Sequence, residues 1–169
     1  MRRVVVTGVG LVSSLGTGVE KTWEALLKGE TGIKLIESFD TEDLAVKMAG
    51  VVDDFNPEDF GIDKKELKKL ARFSQFGIAA SKMALDNAER IGVIVSSGIG
   101  GLDVFEEQHV NLVDKGAKRV SAFTIPAMIA NMSSGNISIY LGAKGPNKTI
   151  VTACAAGTHS VGDAFELIK

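Results

Sequence analysis

The residue of this chain best suited to covalent chemistry is a lone thiol. Cys154, the only cysteine in 169 residues, sits in "IVTACAAGTHSV" (Ile150 to Val161), with Thr152 and Ala153 before it and Ala155, Ala156 and Gly157 after it. The pattern places it where a short strand, "TIVTA" (Thr149 to Ala153), passes into a helix over Ala155 to Ile168. A thiol at a helix N-terminus faces free backbone N–H groups and the positive end of the helix dipole. Both favour the thiolate, which is the reacting species. Small neighbours leave room for a substrate carbonyl, and the cysteine's own N–H can donate to an oxyanion. Against this stands the ordinary behaviour of free cysteine, which is among the most buried residue types and usually packs without reacting. The residues alone leave both readings open.

Other candidates are weaker. His109 lies beside Glu106, Glu107 and Gln108 and reads as a solvated surface residue. His159 follows Cys154 by five residues in the same helix, a spacing that turns it away from the thiol. A packing or supporting role suits it better than that of general base. One cysteine and two distant histidines do not make a zinc site, so neither a metal nor another cofactor is expected. "TGVGLVSSLG" (Thr7 to Gly16) invites a dinucleotide reading, but Ser13 stands where the fingerprint needs its last glycine. "SGIGGLD" has Gly98 and Gly100, with Asp103 in the same failing place. Tight turns and close backbone packing explain these glycines better. Two basic clusters, "KKELKK" (Lys64 to Lys69) and "KGAKR" (Lys115 to Arg119), read as solvated surface on their own.

The elements that must position these residues alternate. "VVVTG" (Val4 to Gly8) and "IGVIVSS" (Ile91 to Ser97) have the look of buried strands. "GVEKTWEALLKGETG" carries Val19, Trp23, Leu26 and Leu27 at helical spacing and stops at Gly29. "AVKMAGVVDDF" predicts a second strand or an exposed hairpin. A long helix is predicted from Lys64 to about Ala88, burying Leu67, Leu70, Phe76, Ala80, Met83 and Ala84. Further helices are predicted over Leu102 to Val113 and from the turn holding Pro126 to about Tyr140, with "GAKGPN" (Gly142 to Asn147) a loop. The last helix carries Val161, Ala164, Phe165 and Ile168 on one stripe. Alternating strands and helices imply an α/β domain with a mostly parallel sheet and helices on its faces.

Bulk properties bound the answer. The length suits one domain, and 45 % apolar with 24 % charged residues is ordinary for a globular protein. A net charge of −2 argues against a broad nucleic-acid footprint. The start, "MRRVVVTGVG", is interrupted too early for a signal peptide, and no run of apolar residues is long enough to span a membrane. A single cysteine fits a reducing compartment, so a cytoplasmic protein without membrane or nucleic-acid partners is expected.

Taken together, "VVVTGVGLVSSLG", "RFSQFGIAASKMAL", "IGVIVSSGIGG", "NMSSGNISIYLGAKGPN" and "VTACAAGTHSVGDAF" resemble, in order and over nearly the whole chain, the β-ketoacyl-acyl-carrier-protein synthases. The likeness is to the type II elongating condensing enzymes of fatty-acid synthesis, and its most specific part is the cysteine segment with the preceding "GAKGPN". The resemblance implies a thiolase-like layered fold of two similar halves, with residues 1–169 as the N-terminal half. It implies a decarboxylating Claisen condensation in which Cys154 carries the acyl group. By the same likeness Phe105 lines the far end of the acyl pocket, and Phe123, Thr124 and Met128 belong to its wall and to a homodimer interface. Lys68, Lys69, Lys118 and Arg119 match basic positions that meet the acidic acyl carrier protein.

The family's catalytic histidine pair, its lysine and a Gly/Phe-rich loop belong to a second half absent from this chain, and His109 and His159 do not replace them. "MALDNAERIGVIV" is also shorter than the family's usual helix-to-strand passage by roughly ten residues, at a kind of site where loops vary. A truncated or incompletely recorded chain is therefore expected. Two other readings remain. A non-catalytic partner of the chain-length-factor or polyketide-ketosynthase type usually lacks the nucleophile that is present here. A dinucleotide-dependent reductase is disfavoured by the missing glycines.

Overall fold

The computed structural model describes residues 2–85 and 90–169. In chain order these form β1 (Val12–Ser13), β2 (Gly16–Thr17), α1 (Val19–Leu27), β3 (Ile33–Leu35), β4 (Met48–Gly50) and α2 (Arg72–Ala84). Then follow β5 (Val93–Ser96), α3 (Leu102–Lys115), α4 (Thr124–Met128), α5 (Asn131–Leu141), β6 (Asn147–Ile150) and α6 (Ala156–Ile168). Strands β5 and β6 pair in parallel, with Val93 opposite Asn147 and Val95 opposite Thr149. Parallel strands need a long crossover, and here it carries α3, α4 and α5. The β1–β2 and β3–β4 pairs are short and antiparallel.

The core gathers Ile62, Leu70, Ile78, Val93 and Ile137, with Tyr140 and Leu141 packed against it. Helices α2 and α5 meet at Gly77, where an added Cβ would lie 2.9 Å from Ile137 Cδ1. The loop before β6 folds back so closely that Gly145 donates its N–H to Ile91 O at 2.9 Å. A Cβ there would stand 2.7 Å from the Gly92 nitrogen, which accounts for the glycine.

Several expectations are corrected. Val4–Gly8 is not a strand among the described residues, and Val6 is 83 % exposed. A β-branched run favours extended backbone but does not supply a partner strand. The glycines that follow dock on α2 instead: a Cβ on Gly8 or Gly10 would fall 2.0 Å from Ala84 O or 1.8 Å from Ala80 O. Close backbone approach, the bland reading of these glycines, is therefore their role.

The long helix from Lys64 is broken. Leu67–Lys69 form a 3-10 turn, Leu70 is extended (φ −125°, ψ 108°), and α2 starts only at Arg72. The break lets consecutive Leu70 and Ala71 both enter the core, which a continuous helix turns to different sides. Buried α2 residues are Ser74, Ile78 and Ala79 rather than the expected face. The predicted end of this helix near Ala88, and the short passage after it, fall at residues 86–89, outside the described residues.

The helix through Pro126 is two helices, because Ile129 turns extended between α4 and α5. Strand β6 begins at Asn147 and ends at Ile150, so Thr152 and Ala153 lie beyond it. The apolar stripes of α1 and α6 do not face this chain's core. In α1 the buried residues are Thr22 and Ala25 while Leu27 is 70 % exposed; in α6 they are Ala156 and Ser160 while Val161 is 72 % exposed. "AVKMAGVVDDF" does form an exposed pairing, through β4, and Gly29 stops α1 with φ 70°.

Near the chain start, Asp54 fastens β2 and α1 to the segment before the core. Its carboxylate accepts from Thr17 N at 3.0 Å, Thr17 Oγ1 at 3.1 Å and Lys21 Nζ at 2.5 Å. The Lys21 ammonium, followed by the Thr17 N–H, lowers its pKa from 3.8 to about 2. A carboxylate depressed by folding contributes stability above its unfolded pKa and loses it as pH falls through the folded one. Asp54→Asn should therefore destabilise the native protein at neutral pH by about 0.5–1 kcal/mol, solvent screening of the exposed pair included. In urea unfolding at a series of pH values, that difference should shrink from pH 3.8 toward pH 2. A second test concerns Gly10, 1.8 Å from the Ala80 carbonyl once a Cβ is added. Gly10→Ala should cost about 1–3 kcal/mol by the same measurement, because backbone rather than a flexible side chain must give way.

Candidate active site

The thiol lies just past the end of the parallel pair. After β6 the chain runs through Val151 and Thr152 into a 3-10 turn, Ala153–Ala155, and α6 follows without a gap. Cys154 is the middle residue of that turn and is exposed. The packing alternative, which requires a buried cysteine, does not hold within this chain. Ala153 has φ 48°, the only non-glycine residue in the left-handed region among the described residues. Such a conformation costs an L-residue about 1–2 kcal/mol, so surrounding contacts must hold it. Ala155 N donates to Thr152 O at 3.1 Å. Thr152 Oγ1 also lies 2.7 Å from Nδ1 of His159, one helical turn into α6. The polar contact of His159 is with Thr152.

The strand leading to the thiol is held from both sides. Alternate residues of a strand face opposite ways. Asn147 and Thr149 face α5, where the fully buried Ser134 hydroxyl lies 2.7 Å from Asn147 Oδ1 and 2.6 Å from Thr149 Oγ1. Asn147 Nδ2 donates to Ser134 O at 2.9 Å and to Ser138 Oγ at 2.6 Å. Between them Lys148 faces the other way and pairs with Asp163 of α6 at 2.6 Å. The result is a helix–strand–helix sandwich whose middle layer points at Cys154.

A second group of the sequence-selected residues gathers around a cavity of about 330 Å³ between the break before α2 and the α3–α4 unit. Lys68, Phe123 and Thr124 line it, together with Arg72, Asp103, Glu107 and Gln108. The Lys68 and Lys69 ammonium groups stand 5.6 and 5.5 Å from the centre of the Phe123 ring. Lys69 is also paired with Glu66 at 2.9 Å. Thr124 Oγ1 donates to Ser121 O at 2.6 Å, and Ser121 N donates to the Gln108 Oε1 at 2.7 Å. Lys118 and Arg119 lie on an exposed 3-10 turn, Ala117–Arg119, which leads into Ser121. Of these four basic residues Lys68 lines the cavity, whereas Lys69, Lys118 and Arg119 do not.

Phe105, Met128 and Cys154 do not line this cavity. Phe105 is half exposed on α3 and stacks on His109, ring centres 6.2 Å apart. Met128 ends α4, and its carbonyl accepts from Gly101 N at 2.8 Å. Gly100, with φ 98°, passes so near that a Cβ would meet that carbonyl at 2.6 Å, so this glycine pair serves packing. Sequence reasoning did not single out Arg72, Gln108 or the Ser134–Asn147–Thr149 network. Asn147 and Thr149, polar and two apart, were the available signal. Nothing comparable marked Gln108, whose partner is a backbone N–H thirteen residues on. Among the described residues no group of His, Cys, Asp and Glu could hold a metal ion. No helix among them is long and apolar enough to cross a membrane.

Comparison with known proteins agrees with this arrangement. The sequence model of the family described as "Beta-ketoacyl synthase, N-terminal domain" matches residues 1–169. The chain is similar to 3-oxoacyl-[acyl-carrier-protein] synthase 2 of Staphylococcus aureus (strain COL), 48 % identical over 177 residues covering 99 % of this chain and 42 % of that protein. It is similar to a solved structure described as "The ishigamide ketosynthase/chain length factor", at 33 % identity and TM-score 0.85, over 99 % of this chain and 44 % of that one. It is also similar to a chain of a type II PKS acyl-carrier protein in complex with its ketosynthase, bound to the hexaketide. There the identity is 26 % and the TM-score 0.77, over 97 % of this chain and 47 % of the other. This chain therefore spans less than half the length of each, and its helices and sheets are those of the first half of the thiolase-like ketosynthase fold. With an exposed cysteine at the end of a parallel strand and a family match from first residue to last, the chain belongs to the β-ketoacyl synthases, as their N-terminal domain.

Proposed function

We propose that the protein to which this chain belongs is a 3-oxoacyl-[acyl-carrier-protein] synthase of fatty-acid elongation, with Cys154 as its acyl-carrying nucleophile. The observation that carries the reading is the exposed Cys154 on a strained strand-to-helix turn, in a chain 48 % identical to a synthase of that name across 99 % of its length. The Cys154 thiolate attacks the carbonyl carbon of an acyl-carrier thioester; a new C–S bond forms and the carrier thiolate leaves. Malonyl-carrier protein then loses carbon dioxide, and the electron pair of the broken C–C bond attacks the acyl-cysteine. A C–C bond forms, the Cys154 thiolate leaves, and the product is β-ketoacyl-carrier protein. The Cys154 N–H precedes the first intrahelical bonds of its turn and is available to the oxyanion of each addition.

The remaining assignments belong to the same proposal. Phe105 limits the depth of the acyl pocket, while Phe123, Thr124 and Met128 form part of its wall and of a homodimer interface. Lys68, Lys69, Lys118 and Arg119 receive the acidic carrier protein, a reading supported by Lys68 lining the cavity and by the exposed turn of Lys118 and Arg119 leading into its Ser121. A similar ketosynthase is described in complex with an acyl-carrier protein. The catalytic histidine pair, the lysine and the Gly/Phe-rich loop that supplies the second oxyanion donor belong to a second half outside residues 1–169. The protein acts in the cytoplasm without a metal or cofactor. A second reading, a chain-length-factor-like partner without catalysis, draws on the likeness to a ketosynthase/chain length factor. The presence of Cys154 favours the enzyme.

Two measurements test this. A cysteine-directed condensing-enzyme inhibitor should add to Cys154 of the native protein, seen by peptide mass. Cys154→Ala should abolish both adduct and condensation, whereas a folded protein unmodified at Cys154 would favour the partner reading. Reversing charge at Lys118 and Arg119 should weaken carrier-protein binding roughly tenfold, from two exposed pairs. The loss should fade as salt is raised, because rim charges act through screened long-range attraction.

A further inference from the structure

The turn that presents Cys154 contains a strained conformation that its own residues support through backbone hydrogen bonds but not through side chains. Ala153 is held at φ 48° although alanine, unlike glycine, is strained there. Its neighbours on the C-terminal side, Cys154, Ala155, Ala156 and Gly157, bring no hydroxyl, amide or carboxylate side chain to fix it. One side-chain contact spans the turn: Thr152 Oγ1, just before the strained residue, to His159 Nδ1, at 2.7 Å. The far end of that contact is rigid, because Ala156 and Ser160 are the buried residues of α6. The near end follows β6, which Ser134 and Asp163 hold from either side. The contact therefore ties two fixed elements together across the thiol.

We propose that Thr152 and His159 are positioning residues, a clamp that keeps Ala153 in the left-handed region and so fixes the direction of Cys154 Sγ and the Cys154 N–H toward an incoming thioester. The inference rests on Cys154 being the acyl-accepting nucleophile, as proposed above. A hydroxyl both donates and accepts, so either tautomer of His159 satisfies the contact. Because both partners are exposed, water replaces the bond readily, and its loss changes orientation more than stability.

The test separates geometry from intrinsic thiol reactivity in the native protein. Acyl transfer from an acyl-carrier thioester to Cys154 needs the attacking sulfur and an oxyanion donor in register, while alkylation by iodoacetamide needs only a thiolate. Thr152→Val and His159→Leu should each slow acyl transfer roughly three- to tenfold, the range of one ordinary hydrogen bond. Alkylation measured on the high-pH plateau should stay at the wild-type rate. Thr152→Ser keeps the hydroxyl and His159→Asn keeps a polar atom near the Nδ1 position, so both should restore acyl transfer. The double variant should be no slower than either single one, since both remove the same contact. Wild-type acyl-transfer rates in Thr152→Val and His159→Leu would overturn the clamp, and so would acyl transfer and alkylation falling together. Should Thr152→Val not fold, the contrast of His159→Leu with His159→Asn decides the matter alone. A wild-type protein alkylated but never acylated at Cys154 would instead overturn the nucleophile reading and the clamp with it.

Discussion

The parallel pairing of β5 with β6 is the contact on which the rest of the arrangement depends. Parallel strands end on the same side, so the residues after Ser96 and those after Ile150 emerge at one edge of the pair. The first group runs through Gly100 and Gly101 into α3, which carries Phe105 in its first turn. The second runs through Thr152 to Cys154. Two segments more than fifty residues apart in sequence thus begin from adjacent strand ends, where α/β folds place their ligands. Register fixes this: Ser96 opposite Ile150 means that a slip of one residue would turn Asn147 and Thr149 away from α5 and bring Lys148 toward it.

That register is held by polar contacts of unequal weight. The Ser134 hydroxyl is fully buried and shares its hydrogen bonds among Asn131 O, Asn147 and Thr149, so it is held by several protein partners rather than by water. The Lys148–Asp163 pair on the opposite face is exposed on both sides, and pairs of that kind contribute about 1 kcal/mol or less. The α5 side therefore determines the strand's position, and the α6 side adjusts it. The same contrast holds around the cavity that Lys68 lines. Gln108, only 9 % exposed, fixes the path of the segment through Ser121, while Lys118 and Arg119 lie exposed just before it.

How much of this was legible in the sequence follows from what each signal encodes. Strand β5, the helix over Leu102–Lys115, the stop at Gly29 and the strand-to-helix placement of Cys154 were readable, because periodicity and punctuation are local properties. The cysteine segment and the order of the motifs led to the right family. What local pattern could not encode was the neighbour. Val4–Gly8 has strand composition without a partner strand among the described residues, and Lys64–Lys69 has helix composition but gives way so that Leu70 and Ala71 can both be buried. Gln108 looks like any polar residue of a helix, and only the returning chain makes it an acceptor.

The helices α1 and α6 show the missing neighbour most clearly. Trp23, Leu26 and Leu27 on one, and Val161, Phe165 and Ile168 on the other, form the apolar stripes that the sequence displays, yet within this chain they face outward. The side each helix buries is instead small or polar: Thr22 and Ala25, Ala156 and Ser160. A helix with a small face turned to a sheet can approach it closely, and one with a large apolar face turned outward has a second layer to meet. In α6 the close approach has a direct chemical consequence. Ala156 and Ser160 seat the helix on β5 and β6, and that seat sets where His159 stands relative to Thr152. The same face that looks unremarkable as packing therefore governs the geometry of the turn that exposes the thiol.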